Sequence, residues 1–156
     1  MMTMLLKSIL IFIFVVISIS DWRTHKIPDR WNAGILLVAV LLALVDPSVS
    51  WQERILGMFA VSVPMACLLF FVPGSFGGGD IKLMAVCGLL LGGPRIIAAA
   101  FLSVVSGGGY AIWLLASHKA GRGSHFAFGP FLAAGVVLSL LYGDKLLAWY
   151  LGFLRG

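Results

Sequence analysis

Charge is scarce in this chain. Of its 156 residues only 11% are Asp, Glu, Lys or Arg, against about 25% in an ordinary soluble domain. Six are carboxylates, Asp21, Asp29, Asp46, Glu53, Asp80 and Asp144, and there are two cysteines and three histidines. These low counts exclude several chemistries. Cys67 and Cys87 both lie inside apolar runs without CxxC spacing, which argues against a disulfide framework or a thiolate metal site. His25, His118 and His125 are scattered over polar loops and read as solvated residues, so no metal site is expected. No polar segment is long enough to serve as a linker, and no internal repeat stands out, so residues 1–156 are read as a single domain. The net charge of +5 would suggest nucleic acid in a soluble protein. Here the basic residues stand in short loops between apolar runs, a pattern that reports membrane orientation instead, and no nucleic-acid partner is expected.

Apolar residues fill the rest. They make up 61% of the chain, against the usual 45–50% or so, and the mean hydropathy is +1.07. The expected fold class is an all-α, polytopic integral membrane protein with about six transmembrane helices. Residues 5–20, interrupted only by Lys7, form the first apolar run; no small-x-small cleavage site follows, so it is read as a retained helix. Residues 21–30 are the most polar stretch, and Pro28 with Asp29 opens a second run over 31–45, where Asp29 suits a cap. Residues 55–72 make a third run, with Pro64 as an expected kink. Residues 81–91 span only about 16 Å as a helix, short of a hydrocarbon core of roughly 30 Å. They count as a fourth span only by continuing through Gly92, Gly93 and Pro94 or by sitting in a thinned bilayer. Residues 96–116 are a fifth run. A sixth begins near Phe126 and continues to about Tyr142, with an amphipathic tail to Arg155. Trp22, Trp31, Trp51, Trp113 and Trp149 read as interface anchors.

With six spans, loops one, three and five share a side. They hold Arg23, Lys26, Arg30, Lys82, Lys119 and Arg122, against Arg54 and Arg95 in loops two and four. That excess favours a cytoplasmic side for the odd loops.

In such a chain a carboxylate at membrane depth is a functional candidate. Asp80 is one. Residues 76–85 read FGGGDIKLMA, three glycines running into an aspartate. Glycine lets the backbone leave the helix and allows another chain to approach closely, while irregular backbone at that depth is tolerated only against protein or a wet cavity. The plainer reading is that Asp80 caps the following helix. On the six-span topology Asp21 and Asp29 share a face with Asp80, and the other three carboxylates do not. Two carboxylates converging at one face can share a proton, one accepting from a water while the other donates to a carbonyl oxygen.

Three segments then stand in order: Asp21-x-Arg23-x-x-x-Ile27-Pro28-Asp29-x-x-Asn32; Gly77-Gly78-Gly79-Asp80-x-Lys82-Leu83-x-Ala85; and Phe128-Gly129-Pro130-Phe131-Leu132-Ala133. Together they resemble the signature segments of type IV prepilin peptidases, over most of the chain. The resemblance implies an aspartic endopeptidase of the bacterial inner membrane that cleaves the leader from prepilins at the cytoplasmic face, with Asp21 and Asp80 as the catalytic pair and no cofactor. Its implied partners are the prepilin, with its leader and hydrophobic segment, and membrane lipid. Gly77, Gly78, Gly79, Arg23, Pro28 and Lys82 are read as substrate-binding or site-shaping. Arg23 either steers acidic groups of the pilin or anchors at lipid phosphates. Lys82 is expected to snorkel to the interface, with a pairing to Asp21 left open.

Larger members of that family carry an N-terminal region with paired CxxC motifs, associated with methylation of the new pilin N-terminus. This sequence holds none, so it resembles the short type that goes with Flp or tight-adherence pili, and methylation is not expected. Two other classes compete: a small proton- or cation-coupled transporter or channel, and a non-catalytic scaffold for pilus assembly. Against the first, no two halves of the chain match, and both aspartates are placed near one face rather than at the midplane.

Overall fold

The computed structural model describes residues 2–74, 76–117 and 127–155, and its elements among them are six α-helices: α1 (Met2–Thr24), α2 (Asp29–Val45), α3 (Trp51–Phe71), α4 (Gly78–Leu91), α5 (Gly93–Ala116) and α6 (Gly129–Arg155). Three of them, α1, α3 and α5, are long and apolar enough to cross a membrane. Large apolar side chains on the outside of the bundle, such as Phe12, Leu44, Leu56, Phe70, Phe101 and Ile112, are more than 60% exposed. Water does not tolerate so broad an apolar surface, whereas lipid does. The chain is an all-α membrane protein.

The helices alternate in direction, so their ends sort into two sets. Ion pairs and hydrogen bonds mark each set. At one end, Lys82 of α4 pairs with Asp29 of α2, and the Gly129 N–H at the start of α6 donates to Asp21 near the end of α1. At the other, Arg95 of α5 bonds Asp144 of α6, and Arg54 of α3 reaches the last carbonyls of α4. In the turn between α2 and α3, Asp46 accepts from the Ser48 N–H, and bonding to Ser48 holds its carboxyl below the usual range.

α4 is the central piece, packed against α3, α2, α5 and α6. Its residues Leu83, Met84 and Cys87 are fully buried, among the core that includes Leu10, Phe14 and Ile17 of α1 and Ile35 of α2. It crosses α3 at two glycines: a Cβ on Gly57 would stand 2.5 Å from the Gly88 carbonyl oxygen, and one on Gly88 would collide with Gly57. Helix packing in lipid favours such small residues because they let backbones meet.

Two expectations change here. α4 does not continue through residues 92–94, because Gly92 at φ 82° ends it and α5 starts at once with Pro94 in its first turn. At 14 residues, α4 is about 21 Å long. Asp29 is not the cap of α2 either: Pro28 holds that position with no side-chain bond, and Asp29 sits in the first turn, where its charge suits the helix dipole. Pro64 is accommodated within a continuous α3. The basic loop with Lys119 and Arg122, together with His118, His125 and the expected sixth-run start at Phe126, lies outside the described residues, as does the side chain of Trp149. Of the other tryptophans, Trp22, Trp51 and Trp113 are about half exposed, as interfacial anchors would be.

Candidate active site

Asp21 lies in the last turn of α1 and is 5% exposed. A helix carboxylate this near a C-terminus meets the unfavourable end of its own dipole, and the opposing α6 offsets that. The Gly129 N–H, the first of α6, donates to Asp21 Oδ2 at 2.8 Å, placing the carboxylate at a helix N-terminus that favours negative charge. Only glycine fits: a Cβ on residue 129 would stand 2.6 Å from Asp21 Oδ2. The start of α6 is itself wedged by aromatics. Phe128 packs on Phe76 and Phe131, with ring centroids 5.6 and 6.5 Å apart, and it occupies the gap left by Gly107 of α5, where a Cβ would come within 2.5 Å of its ring. Tyr110 continues this cluster to Phe131, Trp113 and Trp22.

Asp80 is 8% exposed and stands in the first turn of α4. The helix-cap reading is half right. Gly77, not Asp80, is the N-cap residue, and Asp80 at the third helical position reaches back so that Oδ2 accepts the Gly77 N–H at 3.1 Å. Its other oxygen, Oδ1, is buried with no protein partner. A carboxylate whose job was capping alone would not leave an oxygen buried and unpaired. Asp21 and Asp80 lie within electrostatic reach of each other, at the same end of the bundle.

The three glycines before Asp80 differ in surroundings. A Cβ on Gly77 would sit 3.2 Å from Asp80 Oδ2, and one on Gly79 would press on Ile27 at 3.1 Å, whereas one on Gly78 would meet nothing within 4 Å. Gly77 and Gly79 therefore let the segment fold tightly, and Gly78 faces open space. Pro28 precedes α2 in extended backbone with φ −64° and ψ 134°, directing Ile27 onto Gly79. Lys82 pairs with Asp29, Nζ to Oδ2 at 2.9 Å, and not with Asp21; both side chains are mostly exposed. Arg23 is exposed at the end of α1. His25 turns the chain out of α1 with φ 50°, a left-handed helix end, its N–H bonding the Asp21 carbonyl. A cavity of about 240 Å³ opens at the other end of the bundle, among Lys7, Asp46, Arg54, Arg95, Asp144 and Lys145. It includes neither Asp21 nor Asp80. Among the described residues no cluster of His, Cys, Asp and Glu is arranged to hold a metal.

Gly129 and Phe128 are the site residues that sequence reasoning left without a role. Their motif was visible, but a bond between residues 108 positions apart has no local signature.

Residues 8–112 match the model of the type IV leader peptidase family. The chain is 31% identical over 148 residues to a prepilin leader peptidase/N-methyltransferase of Bacillus subtilis (strain 168), covering 95% of this chain and 60% of that protein. It is 28% identical to the protein of that name from Aeromonas hydrophila, covering 92% of this chain and 51% of the relative. The corresponding protein of Legionella pneumophila is 24% identical, with 92% and 52% covered. The chain thus spans between half and three fifths of the length of these relatives. No solved structure matches it. A family match over about two thirds of the chain, on a helical membrane bundle that buries the aspartates of its first two signature segments at one end, leads to one conclusion: this chain belongs to the type IV leader peptidase family.

Proposed function

We propose that the chain is a membrane-embedded aspartic endopeptidase that removes the leader from type IV prepilins of the Flp-like kind, at the cytoplasmic face of the bacterial inner membrane. Residues 1–156 act as one peptidase domain. The observation that supports this reading is that two carboxylates, Asp21 of α1 and Asp80 of α4, are buried at the same end of the bundle, close enough to interact electrostatically, each with one oxygen fixed by a backbone N–H.

Such a pair holds one proton between two like charges that cannot both ionise cheaply. The ionised member takes a proton from a water, whose oxygen bonds to the scissile carbonyl carbon. The protonated member gives its proton to the carbonyl oxygen. The tetrahedral adduct then collapses: the C–N bond breaks, the leaving amine takes the proton that the first carboxylate accepted from the water, and the second carboxylate takes one back from a hydroxyl of the adduct, which leaves as the new carboxylic acid. The open space at Gly78 is where an extended peptide reaches the pair, and Arg23 and Lys82 form the charged rim of that entrance. Purified protein in liposomes, incubated with a synthetic prepilin, should yield a pilin shortened by its leader, read by mass spectrometry. Intact substrate after long incubation would count against the peptidase assignment.

A further inference from the structure

The buried side-chain polar atoms that lack a hydrogen-bond partner, among the described residues, belong to two side chains only: Oδ1 of Asp80, and both Oδ1 and Nδ2 of Asn32. The proton chemistry above uses the first. Nothing in it uses the second.

Asn32 is 5% exposed. It lies on the face of α2 that also buries Ile35, Ala39 and Leu42, and α2 packs against α4 and α1, the helices that carry Asp80 and Asp21. The contact between Ile27 and Gly79 and the pair between Asp29 and Lys82 fix how α2 starts beside α4. Three residues beyond Asp29, Asn32 stands about 4.5 Å deeper along the bundle at 1.5 Å per residue. It therefore lies deeper in the bundle than the Ile27–Gly79 contact beside the first turn of α4, on a helix packed against the two that bear the aspartates.

A buried carboxamide with neither its donor nor its acceptor used is costly to keep. Leucine has a similar volume and would remove that cost. The group is matched instead to a ligand that presents one N–H and one C=O side by side, which is what a peptide group does. A protease at a membrane face works on a stretch of substrate that has left the helix, and the backbone groups of that stretch find no partner in lipid.

We propose, resting on the peptidase reading, that Asn32 binds the substrate backbone: its carboxamide pairs with a peptide group of the unwound segment on the membrane side of the scissile bond, holding that segment extended while Asp21 and Asp80 act. Asn32 takes no part in the proton transfers.

The test compares Asn32→Leu and Asn32→Gln with the unsubstituted protein, each full length in lipid nanodiscs, using a synthetic prepilin. Asn32→Leu should keep or raise the melting temperature, raise KM tenfold or more and lower kcat by less. In an Asp80→Asn background, which binds without cleaving, it should weaken the Kd of the fluorescently labelled prepilin by tenfold or more, and Asn32→Gln should restore part of that loss. Unchanged KM and Kd in Asn32→Leu would overturn the proposal. So would a lowered melting temperature with Kd unchanged, which would assign Asn32 to packing, and so would a fall in kcat with KM and Kd unchanged, which would assign it to holding the attacking water. If the unsubstituted protein binds prepilin without cleaving it, the peptidase reading fails. If it cleaves and Asn32→Leu matches it, the present inference fails alone.

Discussion

Asp21 depends on a residue it could not be linked to by sequence distance. Its Oδ2 is held by the Gly129 N–H, and the geometry leaves no room for a Cβ at position 129. Gly129→Ala should displace the carboxylate and lower prepilin cleavage by at least tenfold, with insertion and expression retained; cleavage by membrane fractions and immunoblotting check both. The glycines before Asp80 make a sharper comparison. A side chain at position 79 would press on Ile27, so Gly79→Val should loosen the seating of α2 on α4 and lower stability as well as cleavage. Gly78 faces open space, so Gly78→Val should leave the melting temperature unchanged and block cleavage by crowding the substrate's approach. A fully active Gly78→Val would remove that glycine from the entrance. At this scale the acidic residues were legible, because a carboxylate in an apolar chain demands a reason. Roles that depend on distant partners were not. Asp29 looked like a cap from its place after Pro28 and proved to be the partner of Lys82.

Among the elements, α4 is short, and its position is fixed by others. Arg54 of α3 is 3% exposed, and its guanidinium donates to the carbonyls of Leu89 and Leu90 at the end of α4 and to those of Val49 and Asp46. One side chain thus closes the C-terminus of α4 and ties it to the turn before α3. Arg54→Met should lower stability by roughly 3 kcal/mol, since it strands several buried acceptors. Arg54→Lys should rescue little, because an ammonium lacks the planar fork. Thermal unfolding in detergent measures both. In the sequence Arg54 was visible only as one positive charge in a loop. The end of α4 was half legible: residues 81–91 read as a run too short to span alone and α4 does end at Leu91, but only the backbone turn at Gly92 shows that the helix does not continue through residues 92–94. The long apolar runs, by contrast, mapped well onto α1, α3 and α5, because length and composition alone decide whether a helix suits lipid.

For the whole molecule, alternation of six helices places the two aspartates at one end and Arg54, Arg95 and Asp144 at the other. If the aspartate end faces the cytoplasm, a cysteine introduced at Thr24 should react with an impermeant reagent only after the inner membrane is opened. One at Ser48 should react in intact spheroplasts. Cys67 is exposed on the bundle surface and Cys87 is buried, so the experiment starts from a Cys67→Ser background. Equal labelling at both positions would break the assigned orientation. The most direct measurement of the central claim is cleavage of a prepilin by purified Asp21→Asn, Asp80→Asn and Asp29→Asn, side by side and with matched protein in the membrane. Asp21→Asn and Asp80→Asn keep shape and lose the acid–base function, so each should reduce cleavage below detection. Asp29→Asn breaks only an exposed ion pair worth about 0–1 kcal/mol, and it should remain active. Retained cleavage in Asp21→Asn or Asp80→Asn, or its abolition in Asp29→Asn with Asp21→Asn active, would contradict the pairing of Asp21 with Asp80.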